Sequence, residues 1–534
     1  LDYRASQDEE TYWSDAMFGG MPTYQMGAQF RGDIIKKIDG LLNVFPKPVN
    51  YLFLLFSGFF LLGMVCLKNN WKYALLGALF FGLSTYFYII IGAGHNGKVH
   101  TIAYFAPLVA GILLIYIRQK YALGFIITTL FMGLQIAANH PQMTYYLFLA
   151  LAFLFISELI RVVMKRTHLK HFLISTGLVG LACVLGVGMN SQRIMANSEY
   201  IKETVRGKQL LNNEKHTAEK SGMDKESILA WSYGKAETLN LFIPRLMGGA
   251  SNEQGAEEIT EGLKGLLEQN ITDEEDYNRT MKQISKGLGS ITYWGDQPMT
   301  SGPAYQGGVV VFLAILGFFF APKKYRYWVL GASALSIMLA WGANFLFLSD
   351  FFIDFVPFYN KFRAPSSILV VVELLFPLIG IIGLYQILNR KDETSAESHS
   401  SAIKKLLYIT ASVVGATLIL LLLGKSILGF STANENAYLP PYIVDFLVDA
   451  RYKMFREDAI KAIIFVLLTA GAIYFALKKK ISTDVALLII GVVSVFDLWT
   501  VNRRYLNSDN FVDKVFAQNP FQTEVTDPYQ ATLS

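Results

Sequence analysis

VNYLFLLFSGFFLLGMVCLKNNWKYALLGALFFGLSTYFYIIIGAGHNGKVH, residues 49–100, is the stretch that decides the fold. Two apolar runs flank a short basic turn that holds Lys68 and Lys72, and a histidine-bearing turn at 95–100 follows the second run. A hydrocarbon core about 30 Å thick takes about 20 mostly apolar helical residues to cross. The same pattern repeats over 49–67, 73–92, 102–117, 121–138, 143–160, 171–189, 305–321, 327–346, 367–388, 405–424, 459–477 and 484–501. The expected fold is an all-α, polytopic transmembrane bundle of about twelve spans, with loop insertions on one side.

The connections divide by charge. One alternate set holds Lys68, Lys72, Arg118, Lys120, Arg161, Lys165, Arg166, Lys170, Lys323, Lys324, Arg326, Arg390, Lys391, Lys404, Lys405, Lys478, Lys479 and Lys480. The short loops of the other set hold only Lys98, Lys361 and Arg363. Lys and Arg concentrate in cytoplasmic loops, which assigns the first set to the cytoplasm and the second to the outside. An even number of crossings then leaves both ends outside.

This layout makes residues 1–48 a first extracytoplasmic loop and 49–189 a group of six helices. Residues 190–304 become a large extracytoplasmic insertion, 305–501 six more helices, and 502–534 the start of an extracytoplasmic C-terminal region. Stretches 197–220 and 253–286 read as amphipathic helices over the membrane; 347–366 and 425–458 are shorter outer pieces. Asp350 to Phe358 mixes acids and aromatics as an interfacial helix does, and reads equally as a surface connector. The chain opens at Leu1 without an initiator Met or leader, so a further helix upstream is expected to carry the first loop across. A soluble portion is expected after residue 534, with a short tail as the alternative.

Hydrophobic residues make up 53% and charged residues 17%, the latter below the soluble average of about 25%. The net charge of +5 reflects the cytoplasmic turns and gives no sign of a nucleic-acid partner. Cys66 and Cys183 both fall within spans, so no disulfide framework is expected. His95, His100 and His140 lack the spacing of a known metal motif. No metal site is assigned, and a divalent metal stays an unsupported possibility.

The chemistry concentrates in the outer loops. Tyr12-Trp13-Ser14-Asp15 is followed by Pro22, Tyr24, Gln25 and Gly27; Tyr293-Trp294-Gly295-Asp296 is followed at the same offsets by Pro303, Tyr305, Gln306 and Gly308. An acid beside an indole in a partly dry loop has its pKa raised, which suits a general base. Aromatic-rich interfacial loops also converge by chance. His95-Asn96-Gly97-Lys98-Val99-His100 and Asn139-His140-Pro141-Gln142, with Tyr145 and Tyr146 one turn further, add donors for an anion or a hydroxyl-rich ligand. Their plain reading is turn geometry and interfacial polarity. Asn360-Lys361-Phe362-Arg363-Ala364-Pro365 places a guanidinium against the charge rule, either to hold a lipid phosphate or to snorkel. Glu373 and Asp497 are acids within spans, functional candidates or paired structural groups.

Taken together, WSDAMFGGMP at 13–22, HNGKVH, NHPQMTYY, YWGDQPMTSGP at 293–303 and KFRAP at 361–365 resemble the YfhO-type bacterial membrane proteins. The resemblance runs along nearly the whole chain, and that family is similar to the GT-C superfamily of glycosyltransferases. It implies transfer of a sugar from a polyprenyl-phosphate donor to an envelope polymer or glycan acceptor, at the outer face of a bacterial plasma membrane. Membrane lipids are then the surroundings and the lipid-phosphate sugar is substrate, with no cofactor assigned. On this sequence Asp15 is the leading catalytic base and Asp296 its rival. Lys98, His100 and Arg363 would contact the phosphate, while Trp13, His95, Asn139, His140, Gln142, Tyr145 and Trp294 would line the sugar or acceptor site. In GT-C enzymes the principal acid often lies early in the first outer loop, so it also stands as a possibility that the true base precedes Leu1. A transporter or flippase of lipid-linked saccharides, and a non-catalytic envelope-assembly protein, are the competing readings. The former would show broken helices and ionisable residues near the midplane.

Overall fold

A computed structural model describes residues 12–15, 19–23, 32–165, 168–202, 204, 223–251, 253, 256–271, 273–389 and 396–511. Arg166, Arg390, Lys391, the Tyr24-Gln25-Gly27 end of the first repeat, and most of 203–222 and 512–534 lie outside the described residues. The regular structure of the described residues is helical with one exception. That exception is a hairpin of two-residue strands, in which Trp13 pairs with Pro22 and Ser14 with Met21.

The first half runs α1 (Ile34–Leu42), α2 (Val49–Cys66), α3 (Trp71–Gly82), α4 (Thr85–Gly92), α5 (Asn96–Ala103), α6 (Phe105–Tyr116), α7 (Tyr121–Ala137), α8 (Pro141–Lys165) and α9 (Leu169–Gly188). The insertion holds α10 (Ser191–Ile201), α11 (Lys225–Leu229), α12 (Ala256–Asn270) and α13 (Glu274–Gly287). The second half holds α14 (Gly308–Phe320), α15 (Lys323–Ala340), α16 (Leu346–Phe355), α17 (Val370–Leu388), α18 (Ala396–Leu428), α19 (Ala433–Tyr438), α20 (Pro441–Leu477) and α21 (Thr483–Asn502). Among the described residues eight helices, with α5 and α6 taken together as one, are long and apolar enough to cross a membrane, or up to ten if each of two bent pairs is one span. The helices α7 and α14 are apolar but shorter, at 17 and 13 residues. This is a multi-pass helical membrane protein.

Side chains from distant elements fix the departures from the expected spans. The run 73–92 is bent by 42° between α3 and α4. There Ser84 donates to the Glu373 carboxylate, the Thr85 amide donates to the Tyr305 carbonyl at 3.0 Å, and Thr85 Oγ1 donates to Asn502 at 2.6 Å. The run 327–346 breaks after α15, where the chain turns by 113° into Gly342–Phe355. Gly342 takes a φ of +45°, and a Cβ there would stand 2.2 Å from Ser232 Oγ. That same hydroxyl accepts the Ala343 amide at 2.7 Å. The segment 425–458, read as a shorter outer piece between spans, is mostly helical: α18 runs on to Leu428 and α20 begins at Pro441.

Close packing in the middle depends on small residues. A Cβ on Gly383 of α17 would meet Gly317 Cα at 2.4 Å, and one on Gly317 would meet the Ile379 carbonyl at 2.3 Å. In lipid, helix association relies on such close approach, because there is little hydrophobic drive between helices.

The loops segregate to two ends. At one, Arg118 donates to the Val65 carbonyl at 2.8 Å, Lys324 lies within electrostatic reach of Arg118, Arg161 and Lys68, and Lys72 pairs with Asp484 at 2.6 Å. The insertion sits at the other end, held by two buried ion-pair clusters. Arg451, fully buried, donates bidentately to Glu435 at 2.8 and 2.7 Å and also to the Ser290, Ile291 and Phe430 carbonyls. Asp458 accepts from Arg245 at 2.7 and 2.9 Å and from Arg504 at 3.1 and 3.2 Å. The latter cluster joins the insertion to α20 and to the end of α21.

Candidate functional site

A cavity of about 1780 Å³ opens at the insertion end of the bundle. Its walls come from α4, the start of α5, the α7–α8 turn, α10, the loops 231–251 and 297–304, and the segment 358–369. Seven residues expected from the sequence line it: His95, Lys98, Asn139, His140, Gln142, Tyr145 and Arg363.

Local structure explains how they converge. HNGKVH is not a free turn, since α5 begins at Asn96 and carries Lys98 and His100 on its first turns. Two positions on a helix differ by about 200°. Lys98 therefore faces the cavity, its Nζ 3.0 Å from Ser367 Oγ and 5.1 Å from the Tyr86 ring centre. His100 faces away: its Nε2 is 2.9 Å from Asp39 and 3.2 Å from the Tyr104 hydroxyl, which itself donates to Asp39 at 2.5 Å. These contacts tie α1 to the bundle.

The second turn is set by Asn139 in the left-handed region, φ +60°, followed by Pro141 at the start of α8. Pro suits a first helical position because its missing N–H would have no partner there. Gln142, Tyr145 and Tyr146 then share one face. Gln142 Nε2 donates to the Tyr146 hydroxyl at 2.8 Å and to the Arg363 carbonyl at 2.6 Å. The Tyr145 hydroxyl donates to the Pro357 carbonyl at 3.0 Å, and its ring lies 5.2 Å from that of Phe362. The α8 turn and the 357–363 segment thus form one continuous wall. Phe358 and Ala364 on that wall are also left-handed, with φ of +67° and +57°. Non-glycine residues held there are strained, and such strain collects at working sites.

The charges in the cavity are cationic. Burial, and after it Lys98 and His95, pushes His140 down to about 4, so its ring is neutral near pH 7. Its buried Nδ1 has no hydrogen-bond partner among the described residues. Burial and then Lys98 lower His95 as well. Lys98, Arg193, Lys361 and Arg363 supply positive charge around these neutral rings, and no Asp or Glu is among the described lining residues. Ile89, Ile90, Ile136, Phe148, Ile194 and Leu369 make the wall largely apolar. Such a chamber suits a ligand with an anionic group, hydroxyls and an apolar part.

The remaining expected residues lie elsewhere. Trp13 and Asp15 are exposed on the hairpin, with the indole donating to Asp15 at 2.7 Å. Trp294 is buried against Phe430, ring centres 4.9 Å apart. Asp296 is exposed and accepts from Asn344 at 2.9 Å. The two YWxD stretches therefore occupy different settings, one indole in the open and one packed inside. Neither Asp15 nor Asp296 lines the cavity.

Sequence reasoning missed Arg193, Trp231 and the Glu237 network. Arg193 on α10 donates to Asp33 and to the Ala137 carbonyl and lines the cavity. Glu237 is buried, with its pKa raised chiefly by that burial. It accepts from Gly234, from the Tyr293 hydroxyl at 2.8 Å and from Gln297 at 2.9 Å, the last of these a cavity residue. A lone Arg in a polar run carries no spacing signal. Among the described residues no group of three or more His, Cys, Asp and Glu is placed to hold a metal ion.

Comparison with known protein families, with curated proteins and with solved structures finds no match for this chain.

Proposed function

We propose that this protein is a GT-C-like membrane glycosyltransferase of the YfhO type. It moves a sugar from a polyprenyl-phosphate donor to an envelope polymer or glycan acceptor, on the extracytoplasmic face of a bacterial plasma membrane. One observation carries the reading: the outer-loop residues His95, Lys98, Asn139, His140, Gln142, Tyr145 and Arg363, distant in sequence, line a single chamber. On this reading the eight long helices, the two bent pairs, α7 and α14 make twelve crossings.

The chemistry assigns Lys98 and Arg363 to the donor phosphate, where positive charge stabilises the leaving group as the bond to the anomeric carbon breaks. Neutral His95 and His140, with Asn139 and Gln142, hold sugar hydroxyls. The acceptor oxygen attacks the anomeric carbon and its proton passes to a carboxylate. Asp15 is the leading candidate and Asp296 the alternative; both lie outside the chamber wall, so this assignment rests on the sequence motif and has the acceptor bridge from the acid to the chamber. Protein in vesicles with polyprenyl-phosphate sugars and envelope acceptors tests this: transfer should be lost in the Asp15→Asn/Asp296→Asn double variant. Transfer that survives both changes removes the catalytic assignments.

A second reading, transport of a lipid-linked saccharide between leaflets, draws on the break between α3 and α4. Glu373, fully buried, accepts from Ser84 at that break. Broken helices with buried acids mark many transporters. Movement of intact lipid donor with no glycosidic bond formed decides for that reading.

A further inference from the structure

The sharp turn after α15 sends α16 away from the span that precedes it, at 113°. Its two faces differ. Ser349 is buried and donates to the Gly342 carbonyl at 2.8 Å. Phe352 is buried against Tyr359, ring centres 5.3 Å apart. Asp350 pairs with Lys225 of α11 at 2.5 Å. The other face points outward with Phe347 at 83%, Phe351 at 51% and Phe355 at 73% exposed. These three stand at i, i+4 and i+8, one above another on a helix. Phe358, at 69%, continues the ridge and also lines the cavity.

Four exposed phenylalanines in one row do not belong in water, where a contiguous apolar patch marks a surface that is covered by something. The geometry names the cover. The ridge begins at the end of a membrane-crossing helix and lies steeply across that helix; Asp350 is turned to Lys225, and Asp354 is exposed beside Phe347, as the polar edge of a helix at a headgroup layer is. That is the arrangement of a helix lying in a bilayer interface with its apolar face toward the acyl chains. We propose that α16 is a membrane-interface anchor, whose Phe347–Phe351–Phe355 ridge seats in the lipid and holds the 358–364 rim of the cavity at headgroup depth. The partner is the lipid surface itself. An anion carried by a lipid then meets Arg363 and Lys98 without leaving its layer. The inference uses the membrane character of the fold and does not depend on sugar transfer.

Spin labels test it directly. In a Cys66→Ser/Cys183→Ser background, Phe347→Cys, Phe351→Cys and Phe355→Cys are labelled one at a time in vesicles of phosphatidylethanolamine and phosphatidylglycerol. Oxygen, which concentrates in lipid, should relax all three labels more than a water-soluble nickel chelate does. Lys225→Cys, on α11 beside Asp350, should show the opposite order. Nickel exceeding oxygen along the ridge would put it in water and overturn the proposal. Shielding from both reagents would put a second protein copy there, and would overturn it equally. A label at Phe358→Cys reads the rim: removing the ridge with Phe347→Ser/Phe351→Ser/Phe355→Ser should shift it from oxygen-favoured to nickel-favoured. A rim label that does not move defeats the anchoring role even if the ridge itself meets lipid.

Discussion

Lys98 and His100 were one motif in the sequence and are two unrelated groups in the fold. Helical phase separates them, leaving Lys98 beside Ser367 in the cavity and His100 beside Asp39 behind it. Their substitutions should separate too. A charged hydrogen bond contributes about 1.5–3 kcal/mol, so Lys98→Gln is expected to weaken polyprenyl-phosphate binding about ten- to a hundredfold, measured by titration in nanodiscs. His100→Gln should leave that affinity near wild type and lower thermal stability instead, by about 1 kcal/mol. His140 carries a pH dependence of defined sign. The loosened chain takes up a proton near the ordinary imidazole value of about 6.5, whereas the folded site resists it down to about 4. More protons bind to the unfolded form between those values, so His140 contributes full stability above pH 6.5 and loses it as pH falls toward 4. The slope is at most about 1.4 kcal/mol per pH unit, reduced by the ring's partial exposure. Melting curves from pH 7 to 5 should be flatter for His140→Asn than for wild type; equal slopes would show that the ring is not held neutral. Residue types and their clustering were legible here, but the direction each side chain faces was not, because that depends on where α5 begins.

At the scale of elements, apolar length read the bundle well and its interruptions poorly. Runs such as 49–67 and 484–501 return as α2 and α21 with ends within a residue or two. The breaks at Ser84 and Gly342 are held by Glu373, Tyr305, Asn502 and Ser232, which no window around the break contains. Likewise the span after 425–458 reads as starting only at 459 because Arg451 and Asp458 interrupt the apolar pattern, yet each meets buried partners and α20 runs through both. Breaking a buried pair on one side costs about 3–5 kcal/mol, while replacing both members by apolar groups costs far less. Arg451→Met should thus lower the melting temperature sharply, and Arg451→Met/Glu435→Leu should recover much of it. No recovery would mean that the carbonyls of Ser290, Ile291 and Phe430, not Glu435, are what the guanidinium holds. The glycines offer a matched pair. Gly383→Leu drives a side chain into the Gly317 backbone and should destabilise by more than about 2 kcal/mol, whereas Gly415→Leu on α18 meets open space. Similar melting shifts for the two would contradict the close α14–α17 contact.

For the molecule as a whole, the decisive property is which end faces which side. The sequence argued it from Lys and Arg alone. The fold adds an independent regularity, since Lys68, Arg118, Arg161 and Lys324 gather at one end while the cavity and the insertion occupy the other. A hydrocarbon layer between two such ends admits only two orientations, and the proposed function takes the one that the positive charge of the opposite end favours, with the cavity outward. Cysteine labelling in intact cells measures this without reference to activity. Met299→Cys, exposed at the cavity end, is expected to react with a membrane-impermeant maleimide from outside. Lys479→Cys, in the basic turn after α20, is expected to react only after permeabilisation. Cys66 and Cys183 are replaced by Ser in both variants so that each carries one thiol. The reverse pattern would turn the chamber toward the cytoplasm, where nucleotide sugars and not outer-leaflet lipid sugars are at hand, and the transfer proposed above would lose its donor. Reaction of both positions from one side would contradict the two-ended arrangement itself, because the helices between them would then not cross.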